Sequence, residues 1–182
     1  SSDVCSSDLL LDKLRETRAF VGFSRIYASS NTTPSQRWKL ISRSNKNWLP
    51  AVVVRGEGIF LTFNNERLAE WNREYGEFHK KRLTPINANL QAQARRRQAH
   101  VEDASPTLVM MHTLAHVLIS QLVFDCGYGS SSLRERIYFS ETHPQMTGVL
   151  IYTAAGDSEG TMGGLVRMGE PGQLYRTIAD RK

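Results

Sequence analysis

"SPTLVMMHTLAHVLISQLVFDCG", Ser105 to Gly127, is the stretch on which the fold turns. Proline at the second position suits the first turn of a helix, where its missing N–H costs nothing, and the closing glycine suits a helix end. Between them the segment is apolar nearly all round. That composition predicts a central core helix rather than a surface one. His112 and His116 interrupt it four residues apart, on one face.

Working outward, "RERIYFS" and "TGVLIYTAA" downstream read as two strands, followed by a Gly-rich loop and a short helix from about Gln173. Upstream, "AVVVRGEGIFLTF" carries β-branched and aromatic residues on both sides of Gly56-Glu57-Gly58. That pattern reads as a hairpin or a bent pair of strands. Asn64 or Asn65 caps a helix with an apolar stripe at Leu68, Trp71, Tyr75, Phe78 and Leu83. A second helix, "INANLQAQARRRQAHVEDA", is polar almost all round. Leu10, Leu11, Leu14 and Arg18 fall at helical spacing, before a β-like run from Phe20 to Ile26. Residues 27–50 read as a polar surface loop broken by Pro34 and Pro50. The expected fold is α+β: a small mixed or antiparallel sheet packed on the long apolar helix.

The opening "SSDVCSSDL", residues 1–9, lacks the basic and apolar regions of a signal peptide and resembles translated sequencing-adapter sequence. It is read as a non-native tail, which leaves residues 10–182 as a single domain. Two cysteines, Cys5 and Cys126, are too few for a disulfide framework or a four-cysteine zinc site. No run approaches the ~18 consecutive apolar residues of a membrane span. The expectation is a cytoplasmic protein with no membrane partner. A formal net charge of +5 permits an acidic partner without naming one.

Each chemical template tested against the chain lacks an essential residue. A zinc protease needs His-Glu-x-x-His, with the glutamate as general base, but Thr113 stands at that position. The two histidines therefore read as half-buried fixtures, hydrogen-bonded to backbone or carboxylates, and no metal site is expected in this chain. Cys126 lies at a helix end beside Asp125, an environment that does not favour a thiolate, and reads as a small buried residue. Arg134, Glu135 and Arg136 follow three serines. They read as a capped turn with an arginine paired to Glu135 or to a helix end, or as a phosphate contact. The loop from Gly156 has Thr161 and Met162 where a P-loop requires lysine, so NTP hydrolysis is not expected. Its Asp157, Glu159, Gly160, Gly163 and Gly164 suggest a tight structural or partner-binding corner against the histidine helix. The basic runs Lys80-Lys81-Arg82 and Arg95-Arg96-Arg97 suit sequence-independent phosphate contact, and no aromatic near Arg95 offers a stacking platform.

"VRGEGIFL", "HTLAHVLI", "CGYGSSSLRERIY" and "GVLIYTAAGDSEGTMGGLV" occur in that order. Together they resemble the MrfA-type zinc-binding domain in the form found in the DrmB component of DISARM anti-phage systems. The resemblance spans residues 10 to 182. It implies a non-catalytic, cytoplasmic accessory subunit, partnered with the helicase-like DrmA, that helps to engage DNA. It also implies a family-motif role, structural or partner-binding, for the His112, His116, Cys126, Arg134–Arg136 and Asp157–Gly164 positions. Zinc is implied for the full-length relative, through a cysteine cluster that this sequence does not contain, so the chain reads as a fragment cut at both ends. The rival reading is a fragment of a metal-dependent hydrolase or nuclease that uses His112 and His116.

Overall fold

The computed structural model describes residues 5–20, 47–96, 99–129, 132–140, 143, 147–153, 163–170 and 173–174. The chain divides into two compact units, residues 1–14 with 55–182, and residues 15–54. Of the second unit the described parts are strand ends, joined where the Phe20 N–H donates to the Pro50 carbonyl at 2.8 Å. The first unit holds the described helices and both described hydrophobic clusters.

Four strands, β1 (Cys5–Ala19), β2 (Ala51–Phe63), β3 (Leu133–Tyr138) and β4 (Gly148–Thr153), form one sheet in the order β1-β2-β4-β3. β4 is antiparallel to both neighbours, with Ile59 opposite Ile151 on one side and Glu135 opposite Ile151 on the other. Being central, β4 is buried along its whole length. Its alternation divides the interior: Val149 and Ile151 enter the main core, while Leu150 and Tyr152 join Leu11, Leu14, Phe60 and Tyr138 in a second cluster.

Among the described residues there are three helices, α1 (Asn65–Arg96), α2 (Pro106–Cys126) and α3 (Gly164–Met168). α2 packs on β3 and β4, and α1 and α3 pack on α2. The architecture is thus α+β, a small antiparallel sheet and one long apolar helix. The ends of α2 form as their residues dictate. Ser105 accepts from the Leu108 N–H at 3.2 Å, Pro106 opens the first turn, and Gly127 closes the helix at φ 69°. Met111, Ala115, Leu118 and Leu122 recur at the helical period and are buried against the sheet. Each large apolar side chain so buried contributes about 1.5–3 kcal/mol. Away from the sheet, Val117 is 38% exposed and Phe124 83%. By length and composition α2 would also suit a membrane span, a property it shares with core helices of soluble proteins.

Three local expectations give way. The Leu10–Arg18 stretch is strand rather than helix, because its leucines are divided between clusters, Leu10 to the main core and Leu11 and Leu14 to the second. Gly56-Glu57-Gly58 is no turn, and β2 runs through it without a break. A Cβ at Gly56 would collide with the Thr153 carbonyl oxygen, so glycine here permits close strand approach rather than reversal. The two helices expected between residues 65 and 103 are one, 32 residues long and continuous through Pro85. Asn64 caps it, accepting from the N–H groups of Glu66 and Arg67 at 3.0 and 3.1 Å. Its polar second half is held by the returning chain. The Asn87 side chain exchanges two hydrogen bonds with the backbone of Ala104, and Gln91 donates to the Val101 carbonyl at 2.7 Å.

Candidate metal centre

The helical period sets His112 and His116 one turn apart on α2, along the edge that faces β3. In β3 the strand alternation turns Leu133, Glu135 and Ile137 toward the helix, and Leu133 and Ile137 join the main core. Glu135 is therefore a carboxylate in an apolar row, 19% exposed and aimed at the two histidines. Its Oε1 lies 2.7 Å from His112 Nδ1 and 3.6 Å from His116 Nε2. Its Oε2 is buried without a hydrogen-bond partner among the described residues. The imidazole rings meet edge to face, centroids 4.5 Å apart.

One ligand atom from each of the three side chains lies within 4.8 Å of the other two. Zinc binds imidazole nitrogen and carboxylate oxygen at about 2.0–2.2 Å, so donors around one ion sit roughly 3–3.5 Å apart. The two Glu135–histidine separations, 2.7 and 3.6 Å, lie on either side of that spacing, and the second carboxylate oxygen, Oε2, is buried and has no partner among the described residues. The donor set fits zinc with three protein ligands and a remaining open position. Helix α2 supplies two ligands and the edge strand β3 the third, so a bound ion would join the two elements.

This arrangement corrects two expectations. The histidines, expected to be half-buried, have 54% and 63% of their side-chain surface accessible, although the carboxylate partner expected for them is present as Glu135. Glu135 pairs with them, not with an arginine or a helix end. Sequence reasoning lacked the third ligand because nothing local links residue 135 to residues 112 and 116. The usable signal was an acid at a core-facing position of an otherwise apolar strand row.

The other candidates separate. Arg134 and Arg136 are exposed and project from β3 at the positions alternating with Glu135. Cys126 is partly buried, its thiol 3.9 Å from the Gly164 carbonyl. Burial, then the neighbouring Asp125 and Glu57 carboxylates, push that thiol up, away from the nucleophilic form. Asp157, Glu159 and Gly160 lie outside the described residues, as does Arg97. Gly163 adopts φ 108°, and Gly164 packs beside the Tyr128 hydroxyl. This end of the Gly-rich loop thus meets the C-terminal end of α2, at Cys126 and Tyr128, rather than the histidine turn. On α1, Lys80 pairs with Glu77 at 2.8 Å and the Arg82 guanidinium lies 5.7 Å from the Phe78 ring centroid, while Lys81, Arg95 and Arg96 are exposed.

A residue that sequence reasoning passed over organises the loop end. Glu57 is 1% exposed and accepts from the Tyr128 hydroxyl at 2.6 Å and from the N–H groups of Gly163, Leu165 and Val166 at 2.8, 3.1 and 3.2 Å. A strand carboxylate thus caps α3, whose own cap residue is a glycine without a side chain. Burial and then this hydrogen bond push the Tyr128 phenol well above the usual tyrosine range. The signal was present in the sequence: one acid, flanked by glycines, inside a strongly β-forming run.

Comparison with known proteins bears on the same segments. The MrfA Zn-binding domain matches residues 114–181, which include His116 and Glu135, with His112 two positions before the match. The DISARM protein DrmB of Bacillus paralicheniformis is 37% identical over 171 residues, covering 92% of this chain. The chain spans 30% of that relative's length. By these matches the chain is DrmB-like along 92% of its length, and residues 114–181 resemble the MrfA Zn-binding domain.

Proposed function

We propose that the chain is a non-catalytic accessory part of a bacterial anti-phage complex, acting in the cytoplasm with a helicase-like DrmA partner and engaging DNA. The observation that carries this reading is the 37% identity to a DISARM protein along 92% of the chain. Two features of the molecule support it. The basic runs Lys80–Arg82 and Arg95–Arg96 belong to one continuous helix. On an ideal helix Lys81 and Arg95 fall within about 40° of each other and roughly 20 Å apart, which makes one basic side instead of two separate patches. The histidine pair also lacks the general base of the zinc proteases, since Thr113 follows His112.

The test is a salt titration of duplex DNA binding by the purified chain, alone and with DrmA. Sequence-independent binding that weakens steeply with salt is expected, because phosphate contacts release counterions. Affinity that is absent in both settings, or insensitive to salt, would refute a DNA-engaging role. The His112–His116–Glu135 trio specifically favours a second reading, a metal-dependent hydrolase or nuclease, because three protein ligands with an open position are also what such enzymes use. Metal-dependent DNA cleavage that disappears in His112→Ala and His116→Ala would establish that reading instead.

A further inference from the structure

Two of the trio, His116 and Glu135, line a depression together with Ile119, Leu133, Arg134 and Tyr152. We propose that this depression is an oxyanion subsite, in which Arg134 and the open coordination position of the ion together hold a phosphate group. The proposal rests on the zinc reading of the trio and goes beyond it by assigning a ligand class and a further residue.

Three observations converge on that class. Only three protein donors meet here among the described residues, and two of them are more than half exposed, so a four-coordinate ion would turn its remaining position toward solvent and the depression. The charge is positive: a divalent ion beside the single Glu135 carboxylate keeps net positive charge, and the Arg134 guanidinium adds to it. Arg134 is exposed and forms no ion pair with the described residues. It leaves β3 at a position alternating with Glu135, yet lines the same depression. A ligand satisfying both groups must offer at least two anionic oxygens, one to the ion and one or two to a planar fork of N–H donors. Phosphate does so. The same chemistry is presented by free phosphate and by the backbone of nucleic acid.

The test uses the whole chain loaded with Co²⁺ in place of zinc, with excess ion removed, and follows the visible absorption of the bound ion. One equivalent of Co²⁺ should bind, and Glu135→Gln should abolish the spectrum. Inorganic phosphate should then shift the bands, and Arg134→Gln should keep the cobalt spectrum while weakening the phosphate response roughly tenfold, the scale of one charge-assisted contact. A shift with a short DNA duplex but not with inorganic phosphate would identify the backbone as the source, and the reverse would identify free phosphate. If cobalt binds but neither ligand moves the bands, or if Arg134→Gln responds like the parent, the subsite is wrong and the metal centre stands. If no cobalt binds, the metal centre itself fails and the subsite with it.

Discussion

At the scale of single residues, consequence concentrates at Glu57 and Tyr128, which tie β2 to the start of α3. Glu57→Ala would remove the carboxylate that accepts from the Tyr128 hydroxyl and from three backbone N–H groups, in part-buried to buried bonds. The expected loss is about 3 kcal/mol or more, read as a lower urea midpoint. Glu57→Gln keeps one acceptor oxygen and should fall between it and the parent. An unchanged midpoint in the alanine variant would show that α3 does not depend on this cap. Tyr128 adds a pH signature. Its phenol ionises later in the folded chain than in the unfolded one, so the unfolded state releases its proton first as pH rises. Stability from this group is full below the ordinary tyrosine value of 10.0 and is lost above it. Tyr128→Phe should therefore flatten the alkaline fall in stability. The two histidines should differ: without metal, His116→Ala, 3.6 Å from Glu135 and 63% exposed, should change stability by no more than about 0.5 kcal/mol. His112→Ala removes the 2.7 Å partner of a largely buried carboxylate and should cost about 1 kcal/mol or more. Equal urea midpoints for the two variants would show that the His112–Glu135 pair adds nothing to the fold.

Among the elements, α2 was legible in the sequence because its boundaries are local chemistry. Ser105, Pro106 and Gly127 determine where it starts and stops whatever surrounds it. What it buries was not legible, since a helix apolar nearly all round has no preferred face until a sheet selects one. Met111, Ala115, Leu118 and Leu122 are the face selected. Leu118→Ala should then cost about 2–5 kcal/mol, whereas Phe124→Ala, at a side chain 83% exposed, should stay within about 0.5 kcal/mol. Equal effects on the thermal midpoint would mean that the wrong face has been assigned. The misread elements failed for a common reason, that their decisive contacts are distant in sequence. Leu10, Leu11 and Leu14 match a helical period but are divided between two clusters. Gly56 looks like a turn residue until Thr153, from the far end of the chain, is placed against it. The histidine pair was visible from the start, but its partner Glu135 is brought to it only by the register of β3 beside β4 and the packing of α2 above them.

For the whole molecule, the question is how a modest net charge of +5 could direct it to nucleic acid. A charge of this size, spread evenly, would do little at physiological salt, where the screening length is about 8 Å. Concentration along one element changes the outcome, and α1 provides it: Lys81, Arg95 and Arg96 are exposed on a single helix. Lys80 and Arg82 already have partners in Glu77 and Phe78, so they have less to offer a phosphate. Of the six candidate positions these three are the ones to vary first, Arg97 lying outside the described residues. Replacing Lys81, Arg95 and Arg96 with alanine should weaken duplex binding by a similar factor for unrelated sequences. It should also reduce the slope of log affinity against log salt by roughly 0.9 for each phosphate no longer neutralised. Because all three side chains are exposed, the variant should unfold at nearly the parent midpoint, which separates weakened DNA binding from damage to the fold. A slope unchanged in the triple variant would remove α1 from the interface and make the Arg134 side of the sheet the next basic surface to test.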